Sequence, residues 1–148
     1  MKIMRLEEMR AFIKKTSDHD VSINYVPCQE LAPYAGIANV KEDGSRTISI
    51  TADLHKSLSG KPVKKTFIRA FLLHELGHLH AEEDKAAYKN EYNAHLWAIK
   101  RAQKLGFKKV VATLREEIID WQNLDRTKDY TKYRKASDHY IEKQGFVI

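Results

Sequence analysis

Hydrophobic positions change period about a third of the way along the chain. Within residues 5–16, Leu6, Met9, Phe12 and Ile13 recur at helical spacing, which predicts an amphipathic helix. In residues 21–26, Val21, Ile23 and Tyr25 alternate with Ser22 and Asn24 up to Pro27, a strand pattern. Residues 36–40 and 46–51 are short β-prone runs flanking Lys41-Glu42-Asp43-Gly44-Ser45, whose Asp-Gly pair signals a hairpin. From Pro62, well placed for a helical first turn, the pattern becomes helical. Helices are expected over 63–80, 86–105 (stopped by Gly106), 107–124 and 130–144 (closed by Gly145). The apolar end Phe146-Val147-Ile148 is expected to pack back on the body.

A helix, a small and at least partly antiparallel sheet, then a run of helices is an α+β layout. No repeat, low-complexity tract or linker interrupts it, so residues 1–148 read as a single domain. A chain of 148 residues can bury a core without cross-links. Cys28 is the only cysteine, which excludes an internal disulfide and a cysteine-rich zinc knuckle. Any zinc site must therefore use histidines and carboxylates. The lone cysteine, the charged start and the lack of a long apolar segment predict a soluble, cytoplasmic protein with no membrane partner. The net charge of +6 concentrates towards the C-terminus, most densely from Arg126 to Lys135. Such a bias suits nucleic acid or an acidic partner, but a solvated helix face accounts for it more simply.

The chemistry is concentrated in His74-Glu75-Leu76-Gly77-His78. On a helix, residues four apart share one face, so both imidazoles can reach a single ion at about 2.0 Å. Glu75 lies one position round, where it can accept a proton from water without ligating the metal. With 7 His and 11 Glu in 148 residues, chance supplies this pattern only about 0.02 times. The motif is also embedded among Phe71, Leu72, Leu73, Leu76 and Leu79, where unpartnered polar groups are costly. A catalytic zinc takes a third protein ligand. Glu91 fits best, opening the helix Glu91-Tyr92-Asn93-Ala94-His95-Leu96-Trp97-Ala98, with Ala94 and Ala98 small enough for close approach. His95, four residues on, is the alternative ligand, or a group orienting His74 or His78. Tyr88, Tyr92 and His95 are candidate donors to a developing oxyanion. His80 points away from the motif's ligand face, and His19, His55 and His139 read as surface residues.

At these residues the chain resembles the ImmA/IrrE family of metallo-endopeptidases of bacteria, mobile elements and phages. The specific likeness covers about residues 67–98: the HExxH segment, then Glu91-x-x-Ala94-x-x-Trp97-Ala98. It implies a minimal zincin fold, with the N-terminal helix and small sheet packed on a metal-bearing helical region. It also implies Zn2+ held by His74, His78 and Glu91 in a gluzincin-like site, and cleavage of a protein substrate, often a transcriptional repressor. Position 95, usually Asn or Asp in the family, is His here, which keeps His95 open as a ligand. The SprT-like DNA-associated proteases share the motif and basic charge, but usually add a further His and often a cysteine-based zinc ribbon; with one cysteine, this chain has no ribbon.

The expected mechanism has Glu75 as base and then acid. The expected substrate is an extended peptide added to a sheet edge, with 46–51 the favoured strand. The alternative is a zinc-containing protein- or DNA-binding module on the same scaffold, without proteolysis.

Overall fold

The computed structural model describes residues 4–32, 34–56 and 63–145. Helix α1 (Leu6–Thr16) buries Met9, Phe12, Ile13 and Thr16, the face its periodicity marks. Strand β1 (Val21–Tyr25) follows, then the short helix α2 (Cys28–Leu31), too short for any periodicity in the sequence to mark it. Strands β2 (Gly36–Val40) and β3 (Arg46–Ile50) form the expected antiparallel hairpin. In its loop the Lys41 amide bonds the Ser45 carbonyl at 2.8 Å, and Gly44 adopts φ +85°, a conformation that favours glycine. A 3-10 turn (Ala52–His55) ends the sheet region.

Four long helices complete the chain: α3 (Lys65–His80), α4 (Ala87–Lys104), α5 (Lys108–Gln122) and α6 (Thr131–Gln144). Pro62 and the apolar end 146–148 lie outside the described residues. The layout is α+β, as the order of periods predicts.

One sheet expectation is overturned. The strand order is β1-β3-β2, with β1 parallel and β2 antiparallel to β3. The run 46–51 is therefore central, with pairing on both sides, and cannot receive a peptide at its edge. Its side chains agree: Ile48 and Ile50 are fully buried and Thr47 nearly so. The edge beside the metal-motif helix is β2.

The main core lies between the sheet, α1 and α3, and continues onto α4 and α5. It centres on Met9, Ile23, Ile48, Ile50, Ile68, Leu72, Leu73, Leu76 and Leu114. α3 is buried on nearly every side over its last three turns, from Ile68 to Leu79. A smaller cluster of Tyr92, Ile118, Trp121 and Ala136 fastens α6 to α4 and α5. Lys65 at the start of α3 pairs with Glu8 of α1 at 2.7 Å. Beyond the far end of α3, Arg101 of α4 holds Asp18 at 2.7 Å. At that end His80 Nε2, in the last turn of α3, accepts from the Asp18 amide at 3.0 Å, so the motif helix is tied down at both ends. Among the described residues no helix is long and apolar enough to cross a membrane.

Candidate metal centre

α3 and α4 meet with almost no space between them at Gly77. A Cβ built there would lie 2.2 Å from the Ala94 carbonyl oxygen and 2.8 Å from the Ala94 Cα. Gly77 opposite Ala94, with Ala98 fully buried one turn on, sets how close the helices come. That closeness brings Glu91, three residues before Ala94, against the two motif histidines.

Three donor atoms converge there. His74 Nε2 and Glu91 Oε1 are 3.2 Å apart, His74 Nε2 and His78 Nε2 3.2 Å, and His78 Nε2 and Glu91 Oε1 3.3 Å. Ligands about 2.0 Å from a tetrahedral ion are separated by about 3.3 Å, so the triangle matches one face of a zinc coordination tetrahedron. The donor chemistry agrees: two imidazoles and a carboxylate, able to hold a metal ion. Glu91 is buried, which by itself raises a carboxyl pKa, but hydrogen bonds and charge from His74 and His78 outweigh that and hold it well below the usual range. It is therefore a carboxylate, as a ligand must be.

A histidine relay orients one of these ligands. His95 is fully buried, with Nε2 2.6 Å from the Leu114 carbonyl and Nδ1 2.9 Å from His74 Nδ1. A carbonyl only accepts, so His95 Nε2–H is the donor. Burial, and then the neighbouring His74, push the His95 pKa down to about 3, so the ring is neutral and its Nδ1 carries no proton. His74 must then donate from Nδ1, which leaves its Nε2 lone pair facing His78 and Glu91. Trp121 packs edge-on against His74 and tilted against His95, with centroids 5.8 and 4.6 Å away. The relay thus fixes both tautomer and ring angle.

Glu75 is buried beside the triangle, 8% exposed, and faces the cleft. Burial raises its pKa; the charges of His74 and His78, and the Ala38 backbone amide facing it, act in the opposite direction. A carboxyl pushed upward is better matched to taking and returning a proton near neutral pH. The cleft holds about 500 Å3 and runs between β2 on one side and Glu82, Asn90, Lys132 and Tyr133 on the other.

The β2 edge forms one wall of this cleft. Its outer register bonds, Thr51 amide to Ala35 carbonyl and Lys41 amide to Ser45 carbonyl, put the odd-numbered residues in the ladder with β3. Gly36, Ala38 and Val40 therefore turn their amides and carbonyls outward, towards the cleft.

The remaining expected site residues fall elsewhere. The Tyr92 hydroxyl accepts from Gln144 Nε2 at 2.8 Å, and the rings of both Tyr92 and Tyr88 meet His139 edge-on. Neither tyrosine lines the cleft, so neither is placed to stabilise an oxyanion there. His95 is spent in the relay and contributes no atom to the triangle. His139 is thus part of an aromatic cluster rather than a plain surface residue. His80 is wedged between His19 and Trp97 at centroid distances of 4.6 and 4.4 Å, a packing role away from the ligand triangle. The cleft residues the sequence analysis missed are Tyr34, Lys132 and Tyr133. Lys132 was visible only as one charge in a basic run.

No family profile matches this chain, and neither does any curated protein or solved structure.

Proposed function

We propose that the protein is a zinc-dependent metallo-endopeptidase on a minimal zincin scaffold, akin to the ImmA/IrrE enzymes, acting on a protein substrate. The observation that carries this reading is the 3.2–3.3 Å triangle of His74, His78 and Glu91, with a buried carboxyl, Glu75, beside it at an open strand edge. A repressor or other regulatory protein is the substrate class the resemblance suggests.

His74, His78 and Glu91 would hold the metal. Zinc, when bound, supplies Lewis acidity, lowering the pKa of water to about 7 and polarising a carbonyl. The chain's own residues do the rest. An extended peptide pairs with the outward amides and carbonyls of Gly36, Ala38 and Val40, which sets the scissile bond beside Glu75. Glu75 takes a proton as water oxygen bonds to the carbonyl carbon and the carbonyl π pair moves to oxygen. It returns that proton to the leaving nitrogen as the C–N bond breaks.

Glu75 also argues against a purely structural or binding site. Burying a carboxyl that neither ligates nor moves a proton is unfavourable, and nothing in a structural site requires it. The test is Glu75→Gln, with peptide-bond cleavage followed by mass spectrometry on candidate partner proteins and zinc measured by elemental analysis. The expected result is full zinc content, an unchanged fold and no cleavage. A Glu75→Gln protein that cleaves as well as the wild type would refute the mechanism, and wild-type protein that takes up no zinc would refute the metal centre.

A further inference from the structure

The cleft described above is lined by four glutamates, Glu75, Glu82, Glu83 and Glu91, and by one lysine, Lys132. In an acidic cleft a lone flexible cation would be expected to pair with the exposed carboxylates at the rim, Glu82 or Glu83. Lys132 is held elsewhere. Its ammonium lies 5.3 Å from the Tyr34 ring centroid and 5.0 Å from that of Tyr133, between two aromatic faces. Its nearest carboxylate is Glu91, with Nζ 3.7 Å from Oε2, and its side chain is only 36% exposed. Three elements cooperate in this placement: the segment before β2 supplies Tyr34, α6 supplies Lys132 and Tyr133, and α4 supplies Glu91. The rings hold the charge through their negative faces and limit its movement.

We propose that Lys132 is the anion-stabilising group of the site: positioned by Tyr34 and Tyr133, its ammonium takes the negative charge that develops on the substrate's carbonyl oxygen. This rests on the metallopeptidase reading and names the donor which that reading needs and which Tyr88 and Tyr92 cannot supply. Glu91 gives up much of its negative charge once it shares electrons with a divalent cation, so its hold on Lys132 weakens when the site is loaded. An ammonium in a partly desolvated cleft, already next to the ligand set, is then available to a second anion.

The test uses cobalt in place of zinc, because Co2+ reports its ligands by visible absorption, and inorganic phosphate as a tetrahedral anion. Wild type, Lys132→Met and Lys132→Arg are each titrated first with Co2+ and then, once loaded, with phosphate. The proposal expects Co2+ affinities within about threefold of one another, phosphate binding weakened at least tenfold in Lys132→Met, and most of it restored in Lys132→Arg. Phosphate affinity unchanged in a loaded Lys132→Met would overturn it. So would a Lys132→Met that loses Co2+ affinity but, once saturated, binds phosphate normally, since that describes a counter-ion for Glu91 and nothing more. Wild type that binds Co2+ but no phosphate overturns the inference while leaving the metal centre intact, and wild type that binds no Co2+ removes the metal centre itself.

Discussion

Replacing Gly77 by alanine would place a methyl group 2.2 Å from the Ala94 carbonyl oxygen and 2.7 Å from its carbon. Those are backbone atoms in the middle of a helix and cannot swing aside. Restoring ordinary contact requires α4 to retreat by about 1 Å, an overpacking strain worth about 1–3 kcal/mol. Alanine's better helix propensity returns at most about 1 kcal/mol, so the net loss should be about 0–2 kcal/mol. At this chain length that lowers Tm by no more than about 6 °C. The larger effect falls on the metal. Glu91 sits one turn before Ala94, so a retreat of about 1 Å stretches the 3.2 and 3.3 Å edges of the ligand triangle to about 4 Å, beyond the about 3.3 Å that one ion spans. Zinc affinity should fall by about 10–100-fold, the range seen when the support of a ligand is removed. Competition against a chromophoric chelator measures the affinity, and thermal melting of the metal-free protein measures the fold. A Gly77→Ala protein that binds zinc within threefold of wild type and melts at the same temperature would show that helix proximity does not govern the site.

The other predictions probe separate parts of the molecule. Glu91→Ala should abolish tight zinc binding, as His74→Ala or His78→Ala should, whereas His95→Asn should weaken it by about tenfold; a stronger effect at His95 than at Glu91 would contradict the triangle. Val40→Pro removes an outward amide from the β2 edge and should reduce cleavage while zinc and fold persist, but Ser49→Pro, in the central strand, should disrupt folding itself; circular dichroism beside activity separates the two. Burial, and then Asp120, push the Glu117 carboxyl up to about 8 from its ordinary 4.5. A pKa raised on folding means that stability is lost as pH rises from 4.5 towards 8. Glu117→Gln should therefore stabilise by about 1–3 kcal/mol near pH 7.5 and by nothing near pH 4, and equal melting temperatures at both would refute the assignment.

What could be read from the sequence was what depends on local spacing. His74, Glu75 and His78 lie within about one helical turn, and Glu91 lies early in the next helix, only 13 residues after His78, so two adjacent helices suffice to assemble the triangle. The same locality made α3 to α6 and the Asp43-Gly44 hairpin legible. Strand order depends instead on where β1 docks. Thr-Ile-Ser-Ile-Thr looks like a half-exposed edge because its polar residues alternate, yet Thr47 and Thr51 are buried along with Ile48 and Ile50. Gly77 is visible in the motif but not as a contact, since its partner Ala94 is identified only by the crossing of α3 and α4. Lys132 lies 41 residues beyond Glu91, and only the packing of α6 on α4 and α5 brings it to the cleft. The histidine at position 95 was ambiguous for a chemical reason: imidazole can ligate or orient, and the choice depends on the Leu114 carbonyl that α5 presents to it.

The outward-facing side of β2 has a further consequence, for self-association. An edge that turns the amides of Gly36 and Val40 outward, with Ile37 at 46% exposure and Val40 at 53%, is a template for another copy of itself. Many proteins protect such an edge with lysines, prolines or a covering loop, whereas a strand that accepts a peptide, as proposed for β2, has to stay open. On that proposal the protein should have a solubility limit set by β2, and a bound peptide should protect it from aggregation by occupying the same hydrogen bonds.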